Sequence, residues 1–310
     1  MGVVIMTLCR INGADPVLTA GAVMSGIFFG DRASPASSCA HLNAYLTGTE
    51  IYGNVKAMLK DCIPVLLITV CLYTVLSFTH PLQTVETQML DGLREQFRLS
   101  PLLLVPALIV LIAPLVKMNI KPAMGISILC ASLLAVILQK MSFPELFRTL
   151  ILGYEAKGEM AGLLSGGGVR SMAHGCIMII ISATYSGIFN GTNMLSAAER
   201  SLEKLSEKIS LFRLTALTSF PLIMISCNQT LALMLQVPLI RPIYHKKGIR
   251  SEKMMLDLAD TTVLFSALVP WCLACSMPLE MLAVSASCLP LAFYLYLPAV
   301  VSAVRDLIYG

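Results

Sequence analysis

Three short polar islands interrupt otherwise apolar sequence in this chain, and each carries oxygen ligands. The first is Asp31-Arg32-Ala33-Ser34-Pro35, with Ser37 and Ser38 close behind; the second is Asn228-Gln229-Thr230; the third is Asp257 followed by Asp260-Thr261-Thr262. A carboxylate beside hydroxyl and amide oxygens is suited to binding a hard cation or a proton. In the first island an apolar helical pattern runs from Val17 and stops at Gly30. Gly30 weakens a helix and Pro35 cannot donate a backbone hydrogen bond, so the residues predict a broken helix with freed main-chain groups beside Asp31. In lipid such groups are tolerated only where they are buried in protein or line a polar cavity. The plain alternative is an interfacial loop that holds Asp31 and Arg32 in water. The third island has similar grammar: Asp260 meets hydroxyls at a helix edge, and Pro270 follows as Pro35 does. Asp260 is there either an ion contact or a helix N-cap.

The elements that must position these islands are membrane helices. The 310 residues are 56% hydrophobic and 13% charged, with a mean hydropathy of +0.79, whereas soluble domains carry roughly 25% charged residues. Charge-free runs mark expected spans at Cys62 to Phe78, Pro101 to Val116, Pro122 to Leu138, Ser171 to Asn190, Leu214 to Ile240, Thr261 to Leu279 and Met281 to Val304. A helix crosses a bilayer with about 20 residues. Leu214 to Ile240 is too long for one plain crossing and is interrupted at Cys227 to Thr230, so it reads as one crossing plus a half-length or re-entrant piece. Val17 to Gly30 is short, and short or interrupted apolar segments point to a transporter's binding site.

Arg241 to Lys253 carries five Lys or Arg against one Glu, which places it in the cytoplasm. Glu199 to Lys208 mixes both signs, with Arg200/Glu203 and Lys204/Glu207 spaced as pairs on a solvated helix. Met141 to Leu152 reads as a helix lying flat in the interface. The net charge of +4 sits in loops and reports orientation rather than affinity for nucleic acid. Ten cysteines are scattered in apolar runs as small buried hydrophobes, Cys272-Leu273-Ala274-Cys275 included. Gly166-Gly167-Gly168 lacks the Lys-Ser/Thr ending of a phosphate loop and reads as close packing or a hinge. His174, near a span's mouth, is either a proton relay or a structural hydrogen-bonding residue. The Asn190 and Asn228 sequons are discounted. No nucleophile with a base, no HExxH helix and no nucleotide fingerprint occurs, which argues against an enzyme and against a cofactor.

Three blocks resemble the NhaC-type Na+/H+ antiporters of the ion-transporter superfamily. Gly21 to Ser38 (GAVMSGIFFGDRASPASS) is similar to that family's Gly-Asp-basic-x-Ser-Pro signature; Asn228 to Ile249 is similar to the segment before its basic loop; Leu258 to Trp271 (LADTTVLFSALVPW) is similar to its acidic-hydroxyl stretch ending in Pro-Trp. The resemblance implies an all-α, polytopic membrane protein with broken helices and re-entrant hairpins, in an inverted-repeat secondary-transporter architecture. It also implies that the family's first spans should precede Gly21, so that residues 1–310 form one integral membrane transporter domain, the C-terminal part of an antiporter fold. Residues 17–47 would be the broken-helix site segment of the first half, and 214–304 the site and spans of the second. Departures from the family pattern are Ser38-Cys39-Ala40 for its Asp-Thr-Thr, Asn228 for an acid, Ala259 for an acid and Thr262 for a glycine. Fewer carboxylates mean less compensation for a buried cation.

The expected function is thus Na+/H+ antiport across the bacterial cytoplasmic membrane by a multi-pass protein, with proton and cation competing at a buried Asp31. Ser34, Ser37 and Ser38 would add oxygens, Na+ lying at Asp31 and Ser34, and Asn228, Gln229, Asp260, Thr261 and Thr262 would complete the site. Helix breaks are expected at Gly30, Pro35 and Pro270. Expected partners are membrane lipid, H+ with Na+ or a related cation, and a second copy of the chain in a homodimer; nucleic acid is not among them. The alternatives are an exchanger or symporter of organic anions or other solutes and, from another class, a non-transporting remnant or membrane scaffold.

Overall fold

A computed structural model of the chain describes residues 2–35, 37–79, 100–113, 120–155, 167–171 and 202–309, with a few isolated positions between them. Among the described residues the chain is helical and contains no strand. In chain order the helices are α1 (Gly2–Ile11), α2 (Pro16–Ala33), α3 (Ser38–Thr47), α4 (Ile51–Thr79), α5 (Val105–Ile112), α6 (Ile120–Ile137), α7 (Phe143–Leu152), α8 (Leu211–Ser226), α9 (Gln229–Lys246), α10 (Ser251–Leu258), α11 (Leu273–Leu282) and α12 (Leu297–Tyr309). A π-helical turn, Ala259–Val263, continues α10, and two 3-10 segments, Ala286–Leu291 and Phe293–Leu295, precede α12. Two compact units result: Met1–Pro81 with Ile177–Gly310, and Leu82–Cys176.

In the first unit the helix ends follow from local chemistry. Asp15 accepts from the backbone N–H of Val17 at 2.8 Å, and Pro16 supplies the fixed φ of a first helical residue, so α2 starts there. Ser37 caps α3 by accepting from Cys39 and Ala40, and Gly48, in the left-handed region at φ 70, ends it. Asn228 caps α9 by accepting from Thr230 and Leu231. One core joins Met24 and Phe28 of α2 to Cys62 and Val65 of α4, Leu279 of α11 and Tyr294. A second joins Leu233, Val237, Ile240 and Tyr244 of α9 to Cys39, Met254 and Leu258. In α4 Ile63, Leu67, Val70, Val75 and Phe78 are all exposed. Among the described residues it is the one helix long and apolar enough to cross a membrane.

Several expected boundaries move. Helix α2 runs through Gly30 to Ala33, so the first break falls at Ser34 to Ser37, with Pro35 in the turn. A glycine inside a helix costs only about 1 kcal/mol, which packing of α2 in the core offsets. The long run Leu214 to Ile240 is divided as expected: Cys227, left-handed at φ 52, ends α8, and α9 begins after Asn228. Hydrogen bonds between Thr215 and Tyr244, and between Ser219 and Gln236, show that α8 and α9 form an antiparallel pair. The runs Thr261 to Leu279 and Met281 to Val304 are not single helices. The first turns between Ser266 and Cys272, where Pro270 lies; the second leaves α11 at Ala283 (φ 50) and passes through 3-10 turns containing Pro290. Gly21 explains how those turns sit against α2: a Cβ there would lie 2.8 Å from the Leu291 backbone. Glu203 pairs with Lys246 of the basic segment, which holds its carboxyl below its ordinary value chiefly through that hydrogen bond.

In the second unit α5 packs on α6 and α6 on α7, and the hydroxyl of Ser127 donates to the Pro106 carbonyl at 2.8 Å. The 3-10 turn Pro101–Leu104 opens α5. Gly168, at φ 77, passes so near Gly153 that a side chain would collide with that backbone, in keeping with close packing at the glycine run. Gly166, His174 and Asn190 lie outside the described residues, as does most of the run Ser171 to Asn190.

Candidate functional site

The first two polar islands meet at the two helix breaks of the first unit. Asp31, in the last turn of α2, accepts from the Ser37 hydroxyl at 2.7 Å and from the Gln229 side-chain amide at 3.0 Å. Ser37 is the N-cap of α3 and Gln229 the first residue of α9, so the carboxylate lies against the amino ends of two helices, where a negative charge is favoured. Gln229 uses its second amide hydrogen on the Val263 carbonyl, at 3.0 Å. An open cleft of ≈ 470 Å³ adjoins these groups, lined by Asp31, Ser34, Ser37 and Gln229 together with Phe28, Leu273 and others. Asp31 is half-buried, not sequestered in the core as expected of it. It is reachable from the cleft, and among the described residues the acids that are fully buried are Asp257 and Asp260.

Arg32 follows Asp31 by one residue and therefore points about 100° away around the helix. It is 1% exposed. Its Nε donates to Asp260 Oδ1 at 2.8 Å and its Nη2 donates to the same atom; Nη1 donates to the Met58 carbonyl at 3.2 Å, and Nη2 lies 3.2 Å from Asp61 Oδ2. Ser302 donates to Asp260 Oδ2 at 2.7 Å, and Arg305 pairs with Asp61 from the half-exposed side. Asp260 sits in the π-helical turn and is no N-cap: its carboxylate is spent on Arg32 and Ser302. π-helical turns occur often at functional positions, because the extra residue re-aims side chains.

A third assembly fills the space between α8, α9 and α10. The Gln236 amide donates to the Thr215 carbonyl at 2.8 Å and to the Thr218 hydroxyl at 2.9 Å, and its oxygen accepts from Thr262. Tyr244 donates to Asp257 at 2.7 Å, and Lys253 closes the row from the surface.

The structure therefore gathers Asp31, Ser34, Ser37 and Gln229 at one cleft and sends the other expected site residues elsewhere. Ser38 is exposed in the first turn of α3 and does not line the cleft. Asn228 is engaged as a cap, Thr261 donates to the Asp257 carbonyl at 2.6 Å, and Thr262 belongs to the Gln236 assembly. Of the expected break residues, Pro35 and Pro270 lie in turns and Gly30, inside α2, lines the cleft. Sequence reasoning missed Arg32, Asp61, Gln236, Tyr244 and Ser302. Arg32 and Gln236 carried a signal, since a strongly polar residue within an apolar helical run must find partners.

The family model described as the Na+/H+ antiporter family matches residues 26–305. Relatives include the Na(+)/H(+) antiporter NhaC of Alkalihalophilus pseudofirmus, 27% identical over 305 residues that make up 96% of this chain and 66% of that protein. NhaC of Bacillus subtilis is 24% identical over 97% of this chain and 69% of its own length. The malate-2H(+)/Na(+)-lactate antiporter of Bacillus subtilis is 25% identical over 87% of this chain and 59% of its own. The chain thus spans roughly two thirds of the length of the curated relatives it matches, and no solved structure matches it.

Proposed function

The chain belongs to the Na+/H+ antiporter family of membrane proteins, and from that premise we propose that it serves a multi-pass antiporter of the bacterial cytoplasmic membrane that exchanges H+ for Na+ at Asp31. The observation that carries this reading is the Asp31 carboxylate bridged by Ser37 and Gln229 at two helix breaks and open to a cleft. A proton or a monovalent cation each cancels the same negative charge, so the two compete, and competition at one alternately exposed group is antiport in its minimal form. Ser34 and Ser37 would supply neutral oxygens to Na+ beside Asp31, while the Gln229 amide, which donates to Asp31, steadies the carboxylate.

The test is Na+-dependent proton movement in vesicles carrying the full-length protein. Asp31→Asn keeps the shape and removes the titratable charge, and it should abolish exchange. Retained exchange would place the site elsewhere.

A second reading, exchange of an organic solute, is favoured by the ≈ 470 Å³ cleft, which exceeds what a bare cation fills and lies within the range of small-molecule sites. Counterflow of labelled lactate, malate or arginine in vesicles loaded with the same solute decides between the two.

A further inference from the structure

The Asp31 cleft is charged at one end and apolar at the other. Among the described residues Asp31 is the only ionisable side chain in its lining. It takes part in no ion pair among those residues. Both of its hydrogen-bond donors, the Ser37 hydroxyl and the Gln229 amide, are neutral, and Arg32 beside it is turned to Asp260. A half-buried carboxylate with no counter-charge favours a cation that cancels it. Each of its oxygens accepts one of these two bonds and has a lone pair left for another. Along α2 the positions that line the cleft include Ile27, Asp31 and Ser34, the i, i+4, i+7 spacing of one helix face, so the apolar wall begins about 6 Å from the carboxylate. Leu273, Ala274 and Pro278 of α11 continue that wall. A bare metal ion makes no use of it.

We propose that the cleft takes an organic ammonium ion: a primary monoamine whose head pairs with Asp31 and whose short apolar body lies along Ile27, Leu273, Ala274 and Pro278. An ammonium head brings three donors and no acceptor, which suits a corner of carboxylate and hydroxyl oxygens. An organic anion fits poorly. No Lys or Arg lines the cleft among the described residues, and the amino ends of α3 and α9, which would favour a negative charge, already face the Asp31 carboxylate. An amino acid meets the same obstacle at its own carboxylate, so the class narrows to amines without one. The ammonium ion cancels the same single charge that H+ or Na+ cancels, and therefore competes with both. The inference deepens the reading of Asp31 as the transport site and rests on it for that competition.

The experiment is titration calorimetry of the purified full-length protein in detergent, in Na+-free choline chloride, with n-butylammonium, methylammonium and n-butyrate as probes. n-Butylammonium should bind saturably and about tenfold more tightly than methylammonium, because part of its three added methylene groups leaves water. n-Butyrate, a chain of the same length with the opposite charge, should show no saturable binding. Asp31→Asn should weaken n-butylammonium binding about tenfold or more. The probe series needs no variant, so it decides even if Asp31→Asn fails to fold. The proposal is overturned by the absence of saturable n-butylammonium binding, by n-butyrate or methylammonium binding as tightly, or by n-butylammonium binding that survives Asp31→Asn. Na+-dependent proton flux in Asp31→Asn, measured in parallel, keeps the two readings apart. Flux lost in that variant while n-butylammonium fails to bind the unaltered protein defeats the amine alone. Flux retained defeats the transport reading and the competition with it, and leaves the calorimetry to judge the amine site.

Discussion

Arg32→Met should be among the most damaging single substitutions in the described part of the chain. The side chain is 1% exposed, and its loss strips Asp260, itself 2% exposed, of both donors to Oδ1, leaving only Ser302. Breaking a buried ion pair by removing one partner costs about 3–5 kcal/mol, because an uncompensated charge stays buried. Asp61 contributes little to that figure, since its side chain is 20% exposed and keeps Arg305. Asp61→Asn should therefore cost about 1 kcal/mol or less. The double variant Arg32→Met/Asp260→Leu removes both charges and should recover most of the loss, since apolar replacement of a whole buried pair is often close to neutral. The assay is equilibrium denaturation of the detergent-purified protein in Na+-free buffer. A cost below about 1 kcal/mol for Arg32→Met, or a double variant as unstable as the sum of the singles, would show that the buried pair does not organise this region.

Further outcomes follow from other contacts. Gly21→Ala should destabilise by about 1–3 kcal/mol, because its Cβ meets the Leu291 backbone and not a side chain that can turn aside; a neutral effect would mean that α2 and the 3-10 segment can separate freely. Gln229→Leu removes the only amide that links Asp31 to the Val263 carbonyl among the described residues, and should raise the half-saturating Na+ about tenfold with little change in folded yield, as read from vesicle transport. A single-Cys variant at Ser251, in the basic segment, should resist an impermeant thiol reagent added outside intact cells; strong labelling would reverse the orientation.

The breaks were legible in the sequence where a local signal marks them. Asn228 in an apolar run is a strong N-cap, and the chain divides there; Ser34 to Ser37, with Pro35, divides it again. Gly30 misled by three residues because helix propensity is a weak preference that tertiary packing overrides. The breakup of Met281 to Val304 was harder to read. Pro290 and Pro298 hint at it, but what the 3-10 turns rest on is Gly21 of α2, hundreds of residues distant in sequence. The same distance hid Arg32. Its type announced a need for an acid, yet Asp31 was the nearest acid and Asp260 the actual partner, 228 positions away. Asp31, Ser34, Ser37 and Gln229 were grouped in the sequence because their oxygen-bearing side chains flank the helix breaks, and the two breaks meet at one cleft. Thr261, Thr262 and Asn228 were grouped with them on residue type alone, and side-chain direction sent them to other partners.

The most direct measurement is the half-saturating Na+ concentration for exchange as a function of pH, with the full-length protein in vesicles. If H+ and Na+ compete for the Asp31 carboxylate, that concentration rises about tenfold for each unit of acidification in the range where the carboxyl is mostly protonated, and the maximal rate stays constant. A half-saturating concentration that ignores pH while the maximal rate falls would contradict a shared site at Asp31.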